Sequence, residues 1–576
     1  MKIYTSHHPP FPIQEESIFT FLCQRHFDKH PRDKTAYIDA VSGKRISRGQ
    51  FRDLCMELGW GLRSEFHNQG GIPLNRGDTV MIFSSNSLSW PIIMFSCFAA
   101  GLKPTLANSA YTPREVEHQW NDSTAKVVLV HPNLLSVALE MFKGLGFNES
   151  EAKRRIIIAD PDWSLPDTTT GDYVHLGDII GKGKLQEEEK FVGNQSYETT
   201  VLCYSSGTTG KPKGVETTHC NLTSQIQMID ASFLPIIPQD CILGVLPFYH
   251  VYGAINLLMY PFFAGIPVCI QVKWDVNESC KVIQKYCITI LLGVPPIFLN
   301  LAKSDATEKY SMKSLRLLSS GAAPLGRPLM EGLRSRLAKL GSNPWISQGY
   351  GSTETSPASH IMNYEDCFRK FGSVGRLLPN LEARLVVDGE NSIDADDGKP
   401  GELWIRGPSV MKGYLNNPTA TKNTVTPDGW YKTGDVAIRD EEGYYYIVDR
   451  VKELIKYKGF QVPPAELESI LLQHPDIADC AVVGIYSEKQ ATELPRAYIV
   501  HKNTNTQGLL SPLDTREFAK SIQKWVQSRV ARHKYLRGGV SVIDTIPKSA
   551  AGKILRRELR ELAKKEALDA DVLARL

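Results

Sequence analysis

Over its first 200 residues the chain alternates short apolar runs with amphipathic stretches, and few folds accommodate that rhythm. Thr79-Val80-Met81-Ile82-Phe83 and Lys126-Val127-Val128-Leu129-Val130 read as buried strands, each set among helical patterns. Strands of that kind separated by helices predict an α/β protein built on a parallel sheet. Ile288-Thr289-Ile290-Leu291-Leu292 and Leu315-Arg316-Leu317-Leu318-Ser319 continue the pattern. From Glu382 to Tyr446 the texture changes to short strands between Gly, Asp and Pro turns, as in a small barrel or sandwich. The last 125 residues or so look like a separate α+β unit. Pro463-Pro464 opens a helix with Leu467, Ile470 and Leu471 on one face. Cys480 to Ile485 and Ala497 to Val500 read as strands. Asp514 and Glu517 form a candidate capping box for a helix that turns Phe518, Ile522, Trp525 and Val526 inward. Asp449-Arg450-Val451-Lys452 falls between the two textures and is a candidate hinge.

Size and composition remove several classes of function. At 576 residues the chain exceeds what one core usually serves, so at least two domains are expected. A formal charge of +3, with no long basic block, argues against a nucleic-acid partner. The amino terminus lacks the apolar core of a signal peptide. The greasiest segment, Trp90 to Ala100, contains Pro91 and is too short for a transmembrane segment. Eleven cysteines without CxxC pairs fit buried thiols better than a disulfide framework or a zinc site.

The most informative stretch is Tyr204-Ser205-Ser206-Gly207-Thr208-Thr209-Gly210-Lys211-Pro212-Lys213-Gly214, which follows the apolar run Thr200 to Cys203. Its glycines let backbone N–H groups turn toward an anion, and its hydroxyls and two lysines add donors. That is the chemistry a polyphosphate requires. The spacing is not that of a Walker A loop, because Pro212 stands where Ser or Thr should follow Lys211. A bare Gly-Thr-Thr-Gly would be a solvated turn; the full string is far more specific.

This string resembles the phosphate-binding signature of the adenylate-forming superfamily, which includes acyl-CoA synthetases, 4-coumarate:CoA ligase, beetle luciferase and peptide-synthetase adenylation domains. Four further matches follow in the family's order. They are Gln348-Gly349-Tyr350-Gly351-Ser352-Thr353-Glu354, Trp430-Tyr431-Lys432-Thr433-Gly434-Asp435, the run from Asp449 to Gly459, and Pro547-Lys548-Ser549-Ala550-Ala551-Gly552-Lys553. The resemblance spans roughly residues 30 to 560. It implies an α/β fold with a large N-terminal AMP-binding domain, residues 1–448, of two doubly wound α/β subdomains plus a small β-barrel. A hinge at 449–452 and a smaller, mobile α+β C-terminal domain, residues 453–576, complete the expectation.

The resemblance also implies chemistry. A carboxylate attacks the α-phosphate of ATP, pyrophosphate leaves, and the thiol of coenzyme A then displaces AMP. Two anions must meet in the first step, so the site must neutralise charge and hold the reacting oxygens in line. Glu354 matches the carboxylate beside Mg²⁺, and Thr353 matches the hydroxyl at the α-phosphate. Read alone, Thr353-Glu354 is a helix N-terminus. Tyr350 is placed to stack on adenine, with Gly321, Ala322 and Ala323 allowing close backbone approach. Asp435 and Arg450 match the ribose contacts, and Gln348, Gly349, Gly351 and Ile447 complete the nucleotide site. Lys553 matches the lysine that meets the developing charge at the α-phosphate, on a stem long enough to reach it. Lys452 falls at the hinge, Lys456 matches a lysine used after the domains rotate, and Lys458, Gly459 and Lys273 match contacts to CoA. His250, in Phe248-Tyr249-His250, matches the place where acid and thiol meet; alone it would be an ordinary core histidine.

The walls of the acid pocket, by the same matching, are Tyr249, Tyr252, Gly253, Val294, Ile297, Gly321, Gly349, Gly351 and Ser356 onward. None is charged, which points to an aryl or medium-chain acid. Loading of a carrier protein, luciferase-like oxidation and a catalytically silent AMP sensor remain as alternatives. The terminal Ala574-Arg575-Leu576 reads as a variant peroxisomal address, with the cytoplasm as the expectation otherwise.

Overall fold

The computed structural model describes residues 1–205, 212–388, 393–450, 453–457, 460–487, 490, 492–502, 512–530, 532–548 and 554–575. Three sheets make up the larger part of the chain. In the first, Thr199–Ser205, Lys103–Leu106, Thr79–Phe83, Ala125–Val130, Ile156–Ile158 and Val174–His175 lie side by side and parallel. Lys213–Thr218 and Gly413–Tyr414 extend its edge in antiparallel fashion. Every residue of Thr79–Phe83 is buried, as expected when helices cover both faces of a parallel sheet. The apolar segment near Trp90 is one of those helices, Ser89–Ala99, and all eleven residues are buried. Pro91 is tolerated there because it stands in the first turn, where its missing N–H has no partner to lose.

The second sheet has a parallel centre, ordered Trp345–Gly351, Leu317–Ser320, Ile290–Gly293, Ile242–Gly244, Val268–Ile270 and Thr35–Asp39. The third is antiparallel: Tyr4–Thr5, Glu382–Asp388, Gly401–Arg406, Tyr431–Arg439 and Tyr445–Arg450, with Ile393–Asp394 beside Glu382–Asp388. Its last strand includes Asp449 and Arg450, paired with Val436 and Asp435, so half of the expected hinge is strand. Lys452 lies outside the described residues.

The C-terminal unit holds the hairpin Ile455–Tyr457 and Phe460–Val462, and the sheet Ile477–Ser487, Thr492–His501 and Val540–Val542. Helix Pro464–Leu471 buries Leu467 and Leu471 against this sheet, as the apolar spacing predicts. The next helix, Pro512–Gln527, starts two residues before the expected cap, so Asp514 lies in its first turn and is not its N-cap. Pro512 accounts for the earlier start, since its fixed φ suits the first helical position. Ile522 and Val526 are fully buried, with Phe518 and Trp525 packed beside them. Ten of the eleven cysteines are buried and none forms a disulfide. Among the described residues no helix is long and apolar enough to cross a membrane.

Candidate active site

A cavity of about 1280 Å³ lies where the carboxyl ends of the second sheet's parallel strands meet the antiparallel sheet and the C-terminal unit. Open α/β sheets place ligands at that end of their strands. Ser205 and Lys213 line it, and they face each other in register across the strands Thr199–Ser205 and Lys213–Thr218. Both roots of the glycine-rich segment therefore open on the cavity. Ser206, Gly207, Thr208, Thr209, Gly210 and Lys211 lie outside the described residues.

Gly321, Ala322 and Ala323 follow the strand Leu317–Ser320 and form the adjoining wall. Ala322 takes a φ of 65°, a left-handed conformation that a tight turn at the strand end imposes. Gln348 Oε1 accepts from the Leu325 N–H at 2.7 Å and so braces this turn from the neighbouring strand. On that strand, Trp345–Gly351, a Cβ at Gly351 would come within 1.9 Å of the Pro357 carbonyl oxygen, so no side chain fits. Gly349 is tight as well, with 3.2 Å to the His360 carbonyl oxygen. Between them Tyr350 donates its hydroxyl to Asp435 Oδ2 at 2.6 Å. The ring of His360 lies 5.8 Å behind Tyr350, and burial pushes its pKa down to about 3, so it stays neutral.

Thr353–Thr355 is one 3₁₀ turn capped by Ser352, so the helix N-terminus expected from the two residues alone is present in short form. Thr353 and Glu354 are both buried and both line the cavity. Glu354 Oε1 accepts from the Tyr414 hydroxyl at 2.9 Å, and its carbonyl accepts from the Met411 N–H at 2.8 Å. Burial, and then the charge of Glu354, raise the Tyr414 pKa, so the phenol remains a donor. The Lys213 ammonium sits 4.3 Å over the Tyr414 ring, which joins the end of the glycine-rich segment to Glu354 through one side chain. Sequence reasoning missed Tyr414, because only its pairing with Val215 brings it here. Among the described residues no three His, Cys, Asp or Glu side chains gather as metal ligands. A lone buried carboxylate suits Mg²⁺, which keeps its waters and borrows phosphate oxygens.

Asp435 and Ile447 come from adjacent strands of the antiparallel sheet and line the same cavity. Arg450 is the backbone partner of Asp435 on the neighbouring strand. Beyond the polar floor the cavity becomes apolar, walled by Tyr249, Tyr252, Ile229, Phe233 and Leu292. Burial raises the pKa of Tyr249 and of Tyr252, leaving both neutral. His250 lines the same cavity. Its Nδ1 accepts from the Tyr252 N–H at 3.2 Å, so a neutral ring carries its proton on Nε2.

Several expected wall residues do not line the cavity. Gly253 is glycine because a Cβ would lie 2.1 Å from the Pro247 carbonyl oxygen. Val294 precedes the helix Pro295–Lys303 and gives its carbonyl to the Ile297 N–H at 2.9 Å; Pro295 and Leu299 supply the wall in its place. Ile297 and Ser356 are buried away from it, whereas Pro357 and Ala358 reach it. Lys273 is exposed and lies off the cavity. Ile229, on the helix His219–Asp230, and Phe233, just beyond its end, were missed because this stretch carries no motif, only packing.

The C-terminal unit closes the cavity with Glu453, Glu468, Asp479, Lys548, Ile554 and Arg556. Lys548 and Ile554 stand on either side of Lys553, which lies outside the described residues, as do Lys458 and Gly459. Lys456 belongs to the strand Ile455–Tyr457, opposite Gln461.

Comparison with known proteins agrees with this layout. Residues 23–415 match the AMP-binding enzyme family, and residues 466–553 match the AMP-binding enzyme C-terminal domain. The chain is 35% identical to 4-coumarate-CoA ligase 1 of Narcissus pseudonarcissus over 536 residues, covering 92% of this chain and 90% of that one. Among solved structures it resembles the o-succinylbenzoate CoA synthetase of Bacillus subtilis in complex with its acyl-adenylate intermediate. The TM-score is 0.74 at 25% identity, over 94% of this chain and 98% of that one. The same enzyme with ATP and magnesium ion gives a TM-score of 0.73 at 25% identity, over 94% and 99% of the two chains. With both domains matched and nearly the whole length covered, this chain belongs to the AMP-binding enzyme family, the adenylate-forming group that contains the acyl-CoA ligases.

Proposed function

We propose that the chain is an ATP-dependent acid:CoA ligase acting on an aryl or medium-chain acid. The observation that carries this reading is one cavity with two ends. Buried Thr353, Glu354 and Asp435 form a polar floor, and the uncharged chamber of Tyr249, Tyr252, Phe233 and Leu292 continues from it. In the first step a carboxylate oxygen attacks the α-phosphorus of ATP and the bond to pyrophosphate breaks. Thr353 donates toward the α-phosphate, Asp435 accepts from the ribose diol, and the His250 Nε2–H orients the carboxylate. Glu354 would hold Mg²⁺, whose charge offsets that of the phosphates. Lys553 adds a positive charge where negative charge develops. In the second step the thiol of CoA attacks the acyl carbon and AMP leaves, with Lys456, Lys458 and Gly459 on the CoA side after rotation at 449–452.

Substrate class follows from the walls. A chamber lined by phenols, Phe and Leu gives an apolar acid its burial energy. The rings of Tyr249, Tyr252 and Phe233 offer faces on which a flat aryl group can pack. The reading also takes Ala574-Arg575-Leu576, at the end of the helix Arg556–Arg575, as a peroxisomal address.

The test is pyrophosphate release with ATP, Mg²⁺ and a panel of aryl and fatty acids, with and without CoA. CoA-dependent turnover of one acid class is the expected result. Release that ignores CoA points to carrier loading or oxidation, and no release with any acid refutes the ligase. Lys553→Ala should abolish adenylate formation and spare thiolysis of a supplied acyl-adenylate; Lys456→Ala should do the reverse.

A further inference from the structure

The chain on both sides of segment 549–553 is tied down by charge. Before it, Lys548 Nζ meets Asp479 Oδ2 at 2.6 Å, and the Lys548 backbone bridges to that of Ile554. After it, the Arg556 guanidinium sits between two carboxylates and is only 9% exposed. Its Nε donates to Glu453 Oε2 at 3.0 Å. Its Nη1 and Nη2 donate to Glu468 Oε1 and Oε2 at 2.6 and 3.1 Å. Glu468 is itself anchored: it stands on the helix Pro464–Leu471, and its Oε1 accepts from the Val482 N–H at 2.7 Å. Glu453, by contrast, is the first described residue after the junction at 451–452 that joins the antiparallel sheet to the C-terminal unit. Arg556, three residues after Lys553 in sequence, thus ties the start of the helix Arg556–Arg575 both to the body of the C-terminal unit and to its first described residue. All three side chains line the cavity.

A guanidinium is suited to this and an ammonium is not. Its planar fork binds one carboxylate with two parallel hydrogen bonds and still has Nε–H for a second, and it stays charged when buried. The two arms are not equivalent. The Glu468 arm ties Arg556 to the body of the C-terminal unit. The Glu453 arm ties it to the first described residue of that unit, next to 451–452 in sequence.

We propose that Arg556 is a positioning residue, whose ion pairs with Glu453 and Glu468 fix the chain three residues after Lys553 to the start of the C-terminal unit, so that the adenylation step depends on the Arg556–Glu453 contact. The inference rests on the ligase reading and on Lys553 as the lysine of the adenylation step. A displaced catalytic group loses rate without losing ground-state affinity, and a shift of about 1 Å costs about 100-fold.

The experiment uses the full-length protein with Glu453→Ala, Arg556→Lys and the double variant, alongside wild type and Lys553→Ala. Cinnamate and octanoate serve as probe acids in ATP–pyrophosphate exchange, and the matching acyl-adenylates serve in thiolysis by CoA. Thermal midpoints report folding, and neither single variant strands Glu468 without a cation. Each single variant should lower kcat for exchange about 10- to 100-fold, with KM for ATP and the rate of thiolysis within about 2-fold of wild type. The double variant should be no worse than the poorer single one, as expected for residues that act as a pair. Equal loss in both half-reactions would mean a merely structural role and would overturn the proposal, as would exchange at the wild-type rate. If wild type exchanges with neither acid, or Lys553→Ala exchanges normally, the underlying ligase reading fails first and the proposal with it.

Discussion

The Tyr414 hydroxyl is the most economical place to probe the site, because Tyr414→Phe removes one atom and keeps the ring. The ring is needed to hold the Lys213 ammonium at 4.3 Å, while the hydroxyl serves Glu354 at 2.9 Å. Glu354 is 8% exposed, so water does not easily replace the lost donor. A hydrogen bond to a charged group is worth about 1.5–3 kcal/mol, and an unsatisfied buried partner keeps that cost. At about 1.4 kcal/mol per tenfold, the change corresponds to about 10- to 150-fold in the adenylation rate if Glu354 must be held in place for the reaction. ATP–pyrophosphate exchange across a Mg²⁺ titration measures it. The expected outcome is a fall in kcat together with a higher Mg²⁺ requirement, while thiolysis of a supplied acyl-adenylate is unchanged. An exchange rate within about 2-fold of wild type at every Mg²⁺ concentration would refute the role assigned to this contact and to Glu354.

Gly351→Ala should destabilise the fold as well as activity, because its Cβ would meet backbone at 1.9 Å; about 1–3 kcal/mol is expected, read as a lower thermal midpoint. Acid should weaken the protein below neutrality. His219 and His360 are both held to a pKa of about 3 by burial, against 6.5 for the free side chain. Each therefore contributes stability that is complete above about pH 6.5 and is lost toward pH 3, at about 1.4 kcal/mol per pH unit. His360→Phe should flatten that dependence; an unchanged slope in denaturant unfolding between pH 7 and 5 would contradict it. Deleting Ala574-Arg575-Leu576 from a fluorescently tagged chain should move it from peroxisomes to the cytosol, and peroxisomal signal that survives deletion would dismiss the address.

Legibility of the site divided by the kind of constraint on each residue. Gly351 and Gly321 were visible as part of strings, and the structure supplies a packing reason for each: a carbonyl at 1.9 Å and a phenol ring at 3.1 Å. Tyr350, Glu354 and Asp435 were likewise visible, and they converge on one cavity although they come from two different sheets and a 3₁₀ turn. Tyr414, Phe233 and Arg556 were not singled out, since each acts through partners distant in sequence. Glu354 is 60 positions from Tyr414, and Glu453 is 103 from Arg556. Gly253 and Val294 erred in the opposite direction, because neighbours in a motif do not all face the same way. One step along a turn exchanges cavity for core, as Val294 and Pro295 show.

What the chain alone determined is whatever local physics encodes. Apolar runs bounded by amphipathic helices specified the parallel sheets, and Pro and Gly specified turns. The ordered phosphate, glutamate and aspartate strings carried the family chemistry. Tertiary structure decided everything that depends on convergence. The pairing of Gly413–Tyr414 with Lys213–Thr218 delivers Tyr414 to Glu354, and the helix His219–Asp230 brings Ile229 to the cavity. The ion pairs of Arg556 join segments a hundred residues apart. Hydrogen bonds and ion pairs act over a few ångströms in space and carry no mark in the sequence of where their partner will be, so only the folded chain brings them together.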